Sequence, residues 1–143
     1  TMALKEHGAD NEMAEDYLKD EYEEFALKNK ILSNTITPYF GIVIACAPNS
    51  DPIERTILAK VGQEAMGVKG IKAIFVIGNI NGNITGVSAR SDGSINVQLI
   101  MEKLGGGGHF AAAAAQIKNA TIEVVKTELL RLLDLYIREI SVE

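Results

Sequence analysis

Residues 71–90, IKAIFVIGNINGNITGVSAR, decide the fold. Ile71 to Ile77 is an apolar, largely β-branched run, the pattern of a strand covered on both faces. The segment Gly78 to Asn83 contains an Asn-Gly pair, which favours a type I′ hairpin turn, and Ile84 to Arg90 returns as the partner strand. Upstream, Phe40 to Ala47 (FGIVIACA) is a second buried strand by the same pattern. Between the two, Asp51-Pro52-Ile53-Glu54 predicts a helix start with Asp51 as N-cap, Pro52 at the first helical position and Glu54 at the third, running to about Met66 with Gly67 at C′. Downstream, Ser94 can cap a shorter helix carrying Ile95, Leu99 and Met101 or Leu104, which ends at Gly105 to Gly108. Phe110 and the alanines 111–115 lead into Gln116-Ile117. Then Ile122, Val125, Leu129, Leu132, Leu133, Tyr136 and Ile140 mark a long C-terminal helix. At the other end, Met13, Tyr17, Leu18, Tyr22 and Phe25 predict an amphipathic helix from Asp10 or Asn11 to about Ile31, with an Asx cap and an apolar stripe that needs a packing partner. Strands alternating with helices, plus one hairpin, place the chain in the α/β class: a single domain, a mixed β-sheet with helices packed on its faces.

Composition bounds the rest. At 143 residues, 47% hydrophobic and 23% charged, the chain is one globular domain, without an internal repeat or dividing linker, and is long enough to bury a core without metal or disulfide staples. Its one cysteine, Cys46, lies inside an apolar run and reads as a core residue in a reducing compartment. No stretch approaches about 18 apolar residues, and TMALKEHGADNE has no signal-peptide core, so the expectation is a cytoplasmic domain. The net charge of -5 is uneven: Asp10 to Glu24 holds eight acids against Lys19 alone. That distribution argues against duplex DNA as a partner, and any phosphate site must be local.

The feature with most chemical content is Gly105-Gly106-Gly107-Gly108-His109. Four glycines carry a backbone entropy cost that folded proteins tolerate mainly where close geometry is needed. Such a loop can bring amides onto phosphate oxygens, a neighbouring helix N-terminus would add positive potential, and His109 supplies a directed donor. The alternative is a solvated glycine connection with an incidental histidine. The run matches neither GxGxxG nor a P-loop. A second candidate is Ser88-Ala89-Arg90-Ser91, where an arginine flanked by hydroxyls suits forked bonding to phosphate. Because Arg90 enters the short helix and the Gly-His loop leaves it, a curled ligand could touch both ends, with Asn96 adding a polar contact. Two histidines, His7 and His109, cannot build a histidine-rich metal centre. A Cys46–His109 nucleophile pair is disfavoured by burial of the thiol. No catalytic residue and no metal ligand is assigned.

The stretch SARSDGSINV at 88–97, the Gly105 to His109 loop and the alanines beyond it resemble the DHH-associated C-terminal domain of the DHH phosphoesterase family, closest to the GdpP type of cyclic-di-AMP phosphodiesterase. The resemblance covers about residue 8 onward. It implies that residues 1–9 are a linker remnant at a domain junction, that 10–143 form the substrate-binding domain, and that 10–31 are its leading helix. It further implies an N-terminal DHH domain, missing from this sequence, which carries two manganese ions and performs the hydrolysis, while the present domain closes over the cleft and holds the nucleotide. By the resemblance, Arg90, Gly105, Gly106, Gly107, Gly108 and His109 hold substrate phosphate and sugar, with Ser88, Ser91 and Asn96 as weaker carry-overs. The implied ligand is a cyclic dinucleotide or a short linear nucleotide, and the implied partner is the DHH domain of the same chain. Any membrane anchor of the parent belongs upstream. The fragment itself is expected to be inactive and to need no cofactor. One departure bears on substrate: relatives often continue past the histidine with Ala-Ala-Gly, whereas Phe110, five alanines and Gln116 stand here. Alternative readings are an oligonucleotide-binding domain of a DHH-family exonuclease, and an interaction domain that forms a homodimer through the stripe of its first helix.

Overall fold

The computed structural model describes residues 8–142, with side chains from 15 to 141; His7 and most of the expected linker lie outside the described residues. In chain order the elements are α1 (Gly8–Ser33), β1 (Thr35–Tyr39), β2 (Ile42–Cys46), α2 (Arg55–Ala65), β3 (Ala73–Asn81), β4 (Ile84–Ser91), α3 (Val97–Lys103), β5 (Gly107–His109), β6 (Ala112–Lys118) and α4 (Ile122–Val142). The strands form one sheet in the order β1-β2-β3-β4-β6-β5. Only β2 and β3 pair in parallel, joined through α2, and the other neighbours are antiparallel. This is the mixed sheet with helices on its faces that the sequence pattern predicts.

Side-chain alternation along the central strands divides the core in two. On one face Ile42, Ile44, Phe75, Ile77, Val87, Ala89, Ala113 and Ala115 pack under α3 and α4, including Met101, Leu129 and Leu133. On the other face Ala45, Ile74 and Val76 meet Leu58, Val61 and Ala65 of α2 and Ile31 of α1. Covered on both sides, β2 and β3 read as continuous apolar runs.

Several local expectations are corrected. The run Phe40 to Ala47 is not one strand: the chain turns at Phe40-Gly41, Gly41 has φ 78°, and Phe40 is 85% exposed. The strand β1 ahead of it carries Pro38, which an edge strand tolerates. The N-cap of α2 is Glu54, not Asp51; its backbone is extended, and its carboxylate makes no cap bond. The β3–β4 turn residues are Gly82 and Asn83, because Asn81 pairs with Ile84. Only Gly82 of that turn has positive φ, 50°, so glycine takes the first central position, as a type II′ turn requires, and not the second position of a type I′ turn. Asn96, not Ser94, caps α3 by accepting the Leu99 amide at 3.1 Å, while Ser94 turns back to Asp92. Seven residues make α3 about 10 Å long, about two turns.

The leading helix begins at Gly8, before the expected Asx cap at Asp10 or Asn11. The rest of the domain leaves its stripe uncovered: Tyr17, Leu18, Tyr22 and Phe25 are all exposed, only Leu27, Ile31 and Leu32 reach the core, and the side chain of Met13 lies outside those described. The reason is length. Twenty-six helical residues span about 39 Å, longer than the sheet edge beneath them. The C-terminal half of α1 is pinned to α2 by Lys28–Glu64 (2.7 Å) and Lys60–Glu24 (3.2 Å). Among the described residues no helix is long and apolar enough to cross a membrane.

Candidate functional site

The antiparallel register assembles the site. Arg90 of β4 is flanked by Ile74 of β3 and Ala112 of β6, and Ala112 is flanked by His109 of β5. Partners across a sheet present their side chains on the same face. Ile74 packs under α2; Arg90 and His109 therefore share the α2 face. Two strand spacings put their Cα atoms about 10 Å apart. The next row repeats the arrangement with Val76, Ser88, Ala114 and Gly107. Because α2 covers β3 and β4 and α1 covers β2, leaving this face of β5 and β6 without a helix, this half of the face is open: Ala114, Gln116 and His109 are exposed, and Arg90 is half-buried. Arg90 and His109 thus converge across β6, not around the ends of α3.

Arginine 90 sits in a prepared berth. Gly62 of α2 is buried, and a Cβ there would stand 3.3 Å from the Arg90 Cγ, so the missing side chain makes room for the arginine stem. No carboxylate lies within ion-pair range of Arg90 among the described residues. A half-buried guanidinium with its fork free has the donor geometry for an oxyanion.

The four glycines divide their work. Gly105 has φ 87° and closes α3: its amide donates to Glu102 and that of Gly106 donates to Met101, the paired bonds of a Schellman motif. A Cβ on Gly106 would run into the Ala114 carbonyl and the Ala115 Cα, and one on Gly108 would stand 2.5 Å from the Ala113 Cα. Those two glycines let β5 lie against the β6 backbone. Gly107 has nothing within 4 Å of its absent side chain and is the glycine left free by these constraints. The expected neighbouring helix N-terminus is not there, since the loop leaves the C-terminus of α3 and enters a strand. The alanine run forms that strand, β6, against its helix propensity, with Ala113 and Ala115 facing the core and Ala112 and Ala114 flooring the open face. The β5–β6 turn is held in place by Ser91 N–H to the Ala111 carbonyl at 2.9 Å and Val97 N–H to the Phe110 carbonyl at 3.0 Å.

The weaker candidates separate. Ser88 stands on the open face, 7% exposed. Ser91 pairs with Ala73 and belongs to the opposite face, where its hydroxyl donates to the Ile95 carbonyl at 2.8 Å and accepts from the Gly93 amide. Asn96 spends its side-chain Oδ1 on the α3 cap, and its backbone N–H donates to the Tyr136 hydroxyl at 2.9 Å. Sequence inspection passed over Gly62 and Arg55, the latter in the first turn of α2 at the rim of the same face; an isolated glycine inside a helical pattern is the signal for the first. Burial pushes the Cys46 thiol pKa up, which removes it as a nucleophile. Among the described residues no three His, Cys, Asp or Glu side chains come together, so these residues do not fit a metal centre.

Comparison with known proteins finds relatives that match most of this chain. Over 133 residues the chain is 35% identical to the cyclic-di-AMP phosphodiesterase PdeA of Listeria monocytogenes, covering 93% of this chain and 20% of that protein. Over 126 residues it is 32% identical to the cyclic-di-AMP phosphodiesterase GdpP of Geobacillus thermodenitrificans, covering 88% and 19%. The chain therefore spans about a fifth of the length of these relatives. Among solved structures, a pGpG-specific phosphodiesterase from Vibrio superposes with a TM-score of 0.56 at 18% identity over 81% of this chain and 40% of that one. An exopolyphosphatase-related protein from Bacteroides fragilis gives 0.58 at 16% identity, over 79% and 34%. Both share the fold. The DHHA1 domain matches residues 40–139, strands β2 to β6 with the Arg90 and Gly-His segments, and on that match the chain belongs to the DHHA1-domain family.

Proposed function

We propose that this domain grips the phosphates of a dinucleotide on the open half of its sheet and holds them for hydrolysis by the rest of a longer phosphodiesterase. The observation that carries the reading is the Arg90–Ala112–His109 row: one unpaired guanidinium and one imidazole on a single uncovered face, with a floor of alanines between them. Arg90 supplies charge-assisted, forked hydrogen bonds to a phosphate oxygen pair. His109 supplies a second donor across β6. Cyclic-di-AMP is the substrate class favoured by the relatives PdeA and GdpP, at 35% and 32% identity. The metal chemistry such hydrolysis uses, manganese by family resemblance, belongs to the remainder of the longer protein, because the described residues do not fit a metal site. On its own the chain binds and does not cleave.

Calorimetric titration with the linear dinucleotide pApA tests the reading. Arg90→Ala is expected to weaken binding by about 10- to 150-fold, the equivalent of about 1.5–3 kcal/mol for bonds to a charged group, with the melting temperature unchanged. Equal affinity of the two proteins would remove Arg90 from the site. Hydrolysis of cyclic-di-AMP by the purified chain would contradict its role as a binding module only.

A further inference from the structure

Beside the phosphate row, α2 and the sheet leave a cleft of about 310 Å³ between Arg55, Thr56 and Ala59 on the helix and Ser88, Ala114 and Gln116 on the sheet. We infer that this cleft is a nucleobase subsite selective for adenine, with Gln116 as the residue that reads the base. The inference rests on the phosphate reading of Arg90 and His109.

The shape and chemistry of the cleft are those of a slot for a flat heterocycle. Its inner wall is apolar, from Leu58, Ile80 and Val87. Ile80 lies so closely over Gly86 that a side chain there would run into it, and this closes the far end. The floor is Ala114, whose small side chain leaves room for a ring to lie flat. Polar groups are few and placed at the margin, the usual balance of a small-molecule site. Gln116 pairs with Gly86, four residues before Arg90 on β4, so it stands about 13 Å along the strands from the phosphate row. A nucleotide lying along the strands, phosphate toward Arg90 and base toward Gln116, spans this interval with the two side chains reaching in from its ends.

The side-chain amide of Gln116 offers one donor and one acceptor side by side. That pair matches adenine, which presents N7 as acceptor and the N6 amino group as donor on one edge. Guanine presents two acceptors there, N7 and O6, and leaves the Gln116 oxygen unpaired. At the outer rim Arg55 is exposed and has no ion pair among the described residues, and its planar guanidinium can stack on the exposed face of the base.

Binding of pApA, pGpG and ribose 5-phosphate to the wild-type chain and to Ala114→Leu, Gln116→Leu and Arg90→Ala separates the base subsite from the phosphate site. Because Ala114 also floors the phosphate row, Ala114→Leu is expected to cut pApA affinity at least tenfold, while Gln116→Leu, at the far end of the cleft, leaves ribose 5-phosphate within twofold. Gln116→Leu should bring a pApA preference of about tenfold over pGpG close to unity. Both substitutions are at exposed positions, and matched thermal melts verify the fold. If pApA affinity stays within twofold in both variants while Arg90→Ala weakens it, the base subsite is wrong and the phosphate reading stands. If Arg90→Ala also leaves pApA and ribose 5-phosphate unchanged, both fall together.

Discussion

Arg90 and Gly62 are a lock and its clearance, and the pair makes a prediction that neither residue makes alone. Alanine at Gly62 gains helix propensity of about 1 kcal/mol, and the neighbour it meets at 3.3 Å is the flexible stem of an arginine. Gly62→Ala should therefore keep or raise the melting temperature while weakening pApA binding, since the guanidinium shifts; calorimetry and a thermal melt on one sample check both halves. The glycine run divides in the same way. Gly106→Ala puts a methyl group against the Ala114 carbonyl and should cost about 1–3 kcal/mol by overpacking. Gly107→Ala meets nothing and should leave the denaturation midpoint in place. If the two variants unfolded at the same urea concentration, the close approach of β5 to β6 would not be what fixes Gly106. Arg90 and His109 were legible in the sequence because arginine beside hydroxyls and histidine after glycines are chemically distinctive. Gly62 was overlooked because its reason is a neighbour 28 positions away that only the folded sheet supplies.

Elements were legible where one periodicity ran long enough to dominate. The helix α4 and the β3–β4 hairpin follow their patterns closely, because their buried faces are made by their own residues. The hairpin β1–β2 was missed because Phe40 extends the apolar run while in fact capping a turn, its ring near the Lys72 ammonium at 5.4 Å from the centroid. The polyalanine strand carries no β signal of its own; pairing with β4 and β5 overrides its helix propensity. At the far edge, Tyr39 of β1 donates its hydroxyl to Asp134 of α4 at 2.9 Å and ties the edge strand to the last helix. That bond to a carboxylate raises the Tyr39 pKa, with burial adding to it. A group whose folded pKa lies above its unfolded value, about 10 for tyrosine, contributes stability that is complete below pH 10 and is lost as pH rises through the folded value. Tyr39→Phe should cost about 1 kcal/mol at pH 7 and remove part of the alkaline loss of stability; urea denaturation at pH 7 and at pH 11 measures both. An identical slope with pH in the two proteins would show that this bond does not carry it.

At the scale of the whole molecule, one sheet has one fully covered face and one half-covered face, and Arg90 and His109 stand on the uncovered half. The acidic segment Asp10 to Glu24 lies on α1, on the far side of α2 from β5. This separation explains how a chain of net charge -5 can present a local anion site. The architecture was legible as alternating strands and helices; the open half-face was not, since nothing in the strand pattern states how far a helix reaches across a sheet. The central claim is that this face takes nucleotide phosphate, and its most direct test is an amide and arginine side-chain NMR titration of the chain with cyclic-di-AMP, pApA and AMP. The account predicts ligand-dependent shifts gathered on Gly107, His109 and the Arg90 guanidinium, with the dinucleotides shifting these resonances at lower concentration than AMP. Resonances at those three positions that stay fixed at millimolar dinucleotide, in a folded protein, would contradict it.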